Sequence, residues 1–140
     1  MKKLVLYYSL SGHSKRIALD IAAKEKCAIA EVREVKKRSI LGAFFSGALA
    51  ARGRRHADIM PVHLQLSAYD TIVLIAPIWA GYPAPALNSM IAMLPEGKDV
   101  ELILSSGSGS SKGSAAGTKA LVETRGCHVA AYRDIAATAK

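Results

Sequence analysis

The sequence predicts one α/β domain of three layers, in which helices cover both faces of a doubly wound, parallel, five-stranded sheet. Apolar runs typical of buried strands alternate with segments whose apolar residues recur at helical spacing. Clusters of glycine, serine and proline separate these segments at short intervals. The 140 residues, 51% of them hydrophobic, suit a single folded domain over residues 1–140.

The first part of the chain is expected to form a strand, a helix and a second strand. Residues 4–8 are a continuous apolar run, as in strands buried on both faces. A helix should begin at Ser11 or Gly12 and continue to about Lys26, because its isoleucines and alanines repeat every three or four positions. Residues 28–35 alternate between apolar and polar side chains, which predicts a more exposed strand.

The second half of the chain repeats this alternation. Its clearest strand is an unbroken apolar run that Pro77 should end. Gly126 suits the left-handed cap of the last helix. Strands that alternate with helices imply right-handed crossovers and therefore a parallel sheet. We expect strands at residues 71–76, 100–104 and 127–132, and helices at residues 84–94 and 114–125.

The chain is basic, and one segment carries most of the excess charge. The 19 Lys and Arg residues against 11 Asp and Glu residues give a net charge of +8. Residues 36–55 contain six of the basic residues and no acidic one, which leaves 13 basic and 11 acidic residues, a charge of +2, for the rest. Because this segment lies where a helix should connect the second and third strands, we treat residues of about 36–58 as a basic, apolar insert.

Cysteine usage and hydropathy indicate a cytoplasmic protein. Cys27 and Cys127 are too few for a disulfide framework and are expected to be buried thiols in a reducing compartment. The apolar run near the first residue is too short for a signal peptide. No stretch reaches the roughly 20 apolar residues of a membrane span. The four histidines do not cluster, so no metal site is expected.

Three loops leave the carboxyl ends of predicted strands, where open α/β sheets bind their ligands. The first, residues 9–14, offers three serine hydroxyls, a glycine and the N–H groups of a helix's first turn. Such groups suit a phosphate. The alternative is an ordinary N-cap, for which one serine suffices.

The second and third loops could complete the same site. Residues 77–83 hold Trp79, the chain's one tryptophan, and Tyr82, a surface on which a flat ring could stack. The alternative for Trp79 is a core anchor at the edge of the sheet. Residues 105–113 are rich in Gly and Ser but match neither glycine-rich phosphate motif, because of the position of Lys112. They either offer N–H groups to a ring edge or form a plain connection.

These loops, in this order and on these elements, resemble those of the flavodoxin-like family of FMN-binding proteins. The likeness extends from Lys3 to about Tyr132, and is most specific at the phosphate loop, residues 8–15, and at the aromatic segment, residues 69–81. The resemblance implies a sheet ordered 2-1-3-4-5 with non-covalent FMN across the strand ends. The phosphate-binding residues that it implies are Ser9, Leu10, Ser11, Gly12, His13 and Ser14. The ring-binding residues that it implies are Pro77, Ile78, Trp79, Ala80, Gly81 and Tyr82, with Ser105, Ser106, Gly107 and Gly109 at the far edge.

The function implied by this resemblance is electron transfer through FMN, with no catalytic acid or base required of the chain. An NAD(P)H-dependent flavin or quinone reductase is the alternative. A non-redox binding module that kept the fold is a second alternative, because fold does not fix function. The expected partner is a redox protein or a small quinone-like acceptor.

The chain departs from the family's pattern in two places. Only residues 133–140 remain for the last helix, so this helix is expected to be short or missing. A second copy of the chain, or the insert, should then cover the sheet face that it leaves. The second departure is charge: flavodoxins proper are acidic, so a chain at +8 should not share their partners.

The insert has three interpretations. It is an irregular helix packed on the sheet with solvated basic ends, or a flap beside the flavin that admits an apolar acceptor such as a quinone. Alternatively, residues 39–55 make a peripheral membrane contact, because cations beside apolar and aromatic residues favour anionic headgroups. Nucleic acid is an unlikely partner, since no helix-turn-helix pattern or interleaved aromatic residues accompany the basic ones.

Overall fold

The computed structural model describes residues 2–36, 39, 42, 46–107 and 110–136. Helices and strands alternate along this part of the chain, which confirms the predicted α/β class. The helices are α1 (His13–Glu25), α2 (Ala48–Arg52), α3 (Pro85–Ala92) and α4 (Ala115–Thr124), with a 3-10 helix at Leu66–Ala68. The strands are β1 (Lys3–Tyr7), β2 (Ala28–Glu31), β3 (Thr71–Trp79), β4 (Tyr82–Pro83), β5 (Asp99–Ser106) and β6 (His128–Ala136).

The main sheet has the order β2-β1-β3-β5-β6, and all four of these pairings are parallel. The short strand β4 pairs antiparallel with the end of β3 and lies outside this strand order. With β4 left out, this is the predicted order 2-1-3-4-5. Because the main strands are parallel, their carboxyl ends meet at one edge of the sheet.

The core lies on both faces of the three central strands. Leu4, Leu6 and Leu74 pack under α3 and α4 on one face, whereas Val5 and Val73 pack under α1 on the other. Successive residues of a strand point to opposite faces. A strand covered on both faces therefore needs an unbroken apolar sequence, which is the pattern that predicted these strands.

Strand β3 continues past Pro77 to Trp79, so the prediction that Pro77 ends it was wrong. The last register pair with β1 joins Tyr7 to Ile75, and the N–H of Tyr8 donates to the carbonyl of Ile75. Two residues later Pro77 faces the same side, where β1 has already ended. Its missing N–H therefore takes no bond from the pairing with β1, and its carbonyl accepts from the Ala84 N–H at 2.9 Å, next to the pairing with β4.

Strand β2 is shorter than expected and β6 is longer. After β2, the chain leaves the sheet at an antiparallel bridge between Glu34 and Ile59. Strand β6 continues to Ala136, so residues 133–136 extend the sheet in place of a helix turn. Residues 137–140 lie outside the described part, as do Phe44 and Phe45 of the insert.

The sheet face beside α1 holds Ile103, which is 2% exposed, and Ile135, which is half-buried. Its coverage by a second copy of the chain stays a prediction. Among the described residues, no helix has the length and apolar character needed to cross a membrane.

Candidate cofactor site

A cavity of about 390 Å³ opens at the carboxyl ends of β1, β3 and β5. This volume lies within the range of small-molecule sites. Three walls come from the three loops singled out in the sequence, and helix α2 of the insert adds a fourth through Ala48. The lining residues are Ser9, Leu10, Ser11, His13, Ser14, Ala48, Pro77, Ile78, Trp79, Ala80, Ser105, Ser106 and Gly107.

Three of the described residues named from the sequence do not line this cavity. Gly12 and Gly81 lie in its loops and shape their backbones, at φ values of 100° and 87°. The ring of Tyr82 faces the guanidinium of Arg54, whose central carbon is 5.3 Å from the ring centroid. Gly109 lies outside the described residues. Ala48 is the lining residue that sequence analysis missed, since nothing in its sequence context distinguishes it from neighbouring alanines.

The first loop leads into α1 without a serine cap. Gly12 is the N-cap residue in a left-handed conformation, and no side chain of the described chain caps the helix. The Oγ of Ser9 instead accepts a hydrogen bond of 3.0 Å from the Gly12 N–H. The alternative of an ordinary serine N-cap is therefore wrong. The N–H groups of the first helical turn are left for an anion, which the helix dipole also favours.

A buried pair of hydroxyls joins the first loop to the end of β5. The Oγ atoms of Ser14 and Ser105 lie 2.7 Å apart, and the two residues are 1% and 2% exposed. One hydroxyl of such a pair donates to the other, which keeps its own hydrogen for a further acceptor. The pair therefore fixes two cavity walls to each other and still offers one O–H donor.

The aromatic wall is the hairpin between β3 and β4. Trp79 pairs with Tyr82 across a two-residue turn, whose central residues Ala80 and Gly81 both have positive φ, at 53° and 87°. Two positive φ values are the mark of a type I′ turn, which matches the twist of the flanking strands. The turn thus presents Trp79 at the end of the strand, at the cavity.

Trp79 both lines the cavity and packs on the core. Its ring meets Tyr8 edge to face, with centroids 6.1 Å apart and an interplanar angle of 76°. The hydroxyl of Tyr8 in turn hydrogen-bonds the carboxylate of Glu34. The two interpretations of Trp79, a ligand-stacking surface and a core anchor, therefore both describe the same side chain. The anchoring contacts fix the ring that the ligand would meet.

The Gly/Ser loop is held by a network that sequence analysis did not single out. Ser111 is fully buried, and its N–H donates to Asp134 Oδ2 at 3.2 Å. Its Oγ also hydrogen-bonds the Asp134 carboxylate and the Tyr132 hydroxyl. Burial is the main cause that raises the pKa of Tyr132, so this hydroxyl keeps its proton at neutral pH. Because β6 extends to Ala136, Tyr132 and Asp134 reach the carboxyl edge of the sheet.

The cavity carries little formal charge. No Asp, Glu, Lys or Arg is among its described lining residues, and His13 is its one titratable side chain. A bound anion would be met by N–H and O–H groups, and a flat apolar ring by Pro77, Ile78 and Trp79. In the described part of the chain, no three His, Cys, Asp or Glu side chains group as metal ligands.

Three solved structures resemble this one over most of their length. A flavoprotein from Lactobacillus acidophilus in complex with FMN matches at a TM-score of 0.81 and 20% identity, over 95% of this chain and 92% of its own. A candidate flavoprotein from Bacteroides eggerthii matches at a TM-score of 0.82 and 19% identity, over 96% of this chain and 87% of its own. The two-electron reduced flavodoxin of Megasphaera elsdenii matches at a TM-score of 0.63 and 19% identity, over 99% of this chain and 88% of its own.

These likenesses show that the chain has the flavodoxin-like fold, and they confirm the resemblance seen in its sequence at the level of fold. No protein-family model and no curated protein sequence matches the chain.

Proposed function

We propose that the chain binds FMN non-covalently in the cavity and transfers electrons through it. The observation that carries this proposal is the meeting of two chemistries in one cavity. An uncapped, hydroxyl-lined helix N-terminus lies beside an apolar strand end that bears Trp79. The Lactobacillus protein, whose fold is similar over most of both chains, was solved in complex with FMN.

The phosphate would be bound by donors of the first loop. The N–H groups of the first turn of α1, with the hydroxyls of Ser9, Ser11 and Ser14, offer hydrogen bonds without a cation at the cavity wall. Backbone N–H groups in such an arrangement bind phosphate through their partial charges and the helix dipole. Gly12 is required because its φ of 100° is one that residues with a Cβ rarely adopt.

The flat ring system would lie against the strand ends. Pro77, Ile78 and Trp79 supply apolar and aromatic surface, and residues 105–107 bring the backbone of β5 and its following loop to another wall. When bound, flavin supplies the chemistry of electron uptake and release. The chain's own residues bind the ring, fix its orientation and exclude water from the covered side.

Titration of the FMN-free protein with FMN and with riboflavin tests this assignment. We expect the absorption bands of oxidised flavin to shift on binding, and FMN to bind at least about tenfold more tightly than riboflavin, because the loop contacts need the phosphate. Gly12→Ala should remove most of this preference. A protein that binds neither ligand would support the alternative of a non-redox module and overturn the proposal.

Anaerobic mixing with NADPH distinguishes a carrier from a reductase. An electron carrier should keep its oxidised flavin spectrum on the timescale of turnover, since it waits for a protein donor. Rapid bleaching of the flavin by NADPH alone would favour the NAD(P)H-dependent flavin or quinone reductase instead.

The partner that we propose is an acidic redox protein that docks beside the cavity. The outer side of α2, next to the lining residue Ala48, exposes Leu49 at 72% together with Arg52, and Arg55 is exposed just beyond. An apolar residue within a charged rim is typical of protein interfaces. Electron transfer to an acidic partner should slow as the salt concentration rises, and this salt dependence should be weaker in Arg52→Gln. Salt-sensitive co-sedimentation with anionic liposomes would favour a membrane surface instead.

A further inference from the structure

Arg54, six residues after the cavity residue Ala48, joins the insert to the rest of the site. Its Nη1 donates to Thr118 Oγ1 at 2.9 Å, and its Nη2 donates to the carbonyl of Ser114 at 2.8 Å. The same guanidinium lies over the ring of Tyr82, 5.3 Å from its centroid. One side chain of the insert thus contacts both helix α4 and the aromatic hairpin.

The chain around these contacts is shaped to accept the guanidinium. Arg54 has a φ of 51°, a left-handed conformation that is unfavourable for a residue with a side chain. Gly117 of α4 has no side chain, and a Cβ there would lie 2.7 Å from Nη2 of Arg54. Glycine in a helix interior is unfavourable by itself. The left-handed backbone of Arg54 and the glycine inside α4 are each unfavourable locally, and they meet at one contact. Such local strain is typical of functional sites.

Ser114 extends this contact to the remaining walls. Its Oγ donates to the carbonyl of Gly81 at 2.7 Å, in the turn of the hairpin, and its N–H donates to the carbonyl of Ser111 at 3.0 Å. The insert, the aromatic hairpin and the Gly/Ser loop are therefore connected through Arg54 and Ser114. Each of these three segments supplies a wall of the cavity.

The insert is also attached on its far side, after Arg54. Asn88 Nδ2 donates to the carbonyl of Arg55 at 2.9 Å, and the N–H of Ala57 donates to Ser89 Oγ at 2.9 Å. These bonds hold residues 55–57 on α3, away from the cavity. Between this attachment and the cavity residue Ala48, the insert is fixed by Arg54 together with Ala51, which is fully buried.

We propose that Arg54 is a positioning residue of the cofactor site, which holds helix α2 and the hairpin in place so that Ala48 and Trp79 form two fixed walls. The identity of the ligand rests on the proposed function, whereas the role of Arg54 in fixing the walls does not. Arg54 acts through other residues and does not itself line the cavity. Walls that are fixed before binding lose less conformational freedom on binding, so affinity rises.

Two substitutions remove the contact from opposite sides. Arg54→Gln removes the guanidinium, and Gly117→Ala places a methyl group where Nη2 lies. We expect each to weaken FMN binding about tenfold, because segments that Arg54 no longer fixes must be ordered when FMN binds. The double variant should bind no more weakly than Arg54→Gln alone, because both changes remove one interaction. Arg55→Gln makes the same charge change one residue away on an exposed side chain, and should alter binding less than twofold.

Thermal unfolding of the FMN-free variants separates positioning from general destabilisation. Gly117→Ala favours helix α4 by its intrinsic propensity, which offsets part of the lost contact, so its melting temperature should fall less than that of Arg54→Gln while FMN binding weakens as much. Arg54→Lys keeps the charge but cannot make the two bonds of a fork, and should restore affinity in part. Equal affinities for the parent, Arg54→Gln and Gly117→Ala would overturn the proposal.

Hydrogen exchange of the FMN-free protein tests the role of Arg54 without any ligand. Arg54→Gln should speed amide exchange at residues 48–54 and 79–82 together, and leave residues 72–75 in the central strand unchanged. Arg55→Gln should exchange like the parent protein. Unchanged exchange in Arg54→Gln would refute the role of Arg54, and failure of the parent to bind FMN would refute only the proposed function.

Discussion

The buried hydroxyl pair between Ser14 and Ser105 should contribute to stability as a unit. The two Oγ atoms are 2.7 Å apart and the residues are 1% and 2% exposed, so little surface is open to a water that could replace a lost partner. Ser14→Ala or Ser105→Ala alone leaves one buried hydroxyl unsatisfied. Such a loss costs about 1–3 kcal/mol, whereas removal of both partners is often nearly neutral.

A double-mutant cycle measures this coupling. We expect each single substitution to lower the free energy of unfolding by about 1–3 kcal/mol, and the double substitution to cost about as much as one of them. The coupling free energy should therefore be about 1–3 kcal/mol in magnitude. Urea denaturation of the FMN-free protein gives these values from the shift in midpoint, provided that the m-value stays constant.

The exposed Ser11 of the same loop provides the control. Ser11→Ala and Ser105→Ala should add within about 0.5 kcal/mol, as independent sites do. If Ser14→Ala and Ser105→Ala were equally additive, the pair would not act as a unit and would not fix the two cavity walls to each other.

Four further predictions concern the turn, the phosphate loop, the amino-terminal strand and the aromatic wall. Ala80→Asn should raise the free energy of unfolding by about 0.5–1 kcal/mol, because asparagine tolerates the positive φ of the turn better than alanine. A lower urea midpoint would contradict the type I′ assignment. Gly12→Ala should destabilise the FMN-free protein by about 1–3 kcal/mol for the same steric reason, and an unchanged urea midpoint would show that the loop relaxes. The hydrogen bond to Glu25 is the main cause that raises the pKa of Lys3 above 10.5. The stabilisation from this ion pair is therefore present below pH 10.5 and is lost as the pH rises through the higher pKa of the folded state. The stability difference between the parent and Lys3→Met should shrink from neutral pH to above pH 10.5, and a pH-independent difference would exclude this ion pair as its source. Fluorescence of Trp79 should be quenched by FMN in proportion to occupancy, and emission that does not change at saturating FMN would place the ligand elsewhere.

The strand pattern could be predicted from local sequence, but its exact ends could not. Pro77 is a strand terminator by local criteria, yet it continues β3 because its neighbour β1 has ended on the side that it faces. Residues 133–136 continue β6, whereas the resemblance reserved them for a helix. Both differences depend on which neighbour is available for pairing, and a single strand's sequence does not contain that information.

The candidate site likewise combines residues that could be predicted from local sequence with residues that could not. Ser9, Ser14 and Trp79 could be found from the sequence, because hydroxyls, a glycine and an aromatic residue follow strands within short loops. Ala48 and Arg54 could not, since one is an ordinary alanine and the other one cation among many in the insert. Their roles arise from contacts with residues far along the chain, such as Thr118.

The sequence by itself determined the class of fold, the order of elements and the loops that form the cavity. These properties follow from apolar periodicity and turn chemistry, which act between residues a few positions apart. Tertiary structure decided how the charge of the insert is used. The guanidinium of Arg54 is held between α4 and the ring of Tyr82, while Arg52 and Arg55 are left exposed to solvent. Which cation is fixed and which remains free depends on the partners that folding brings within hydrogen-bond distance.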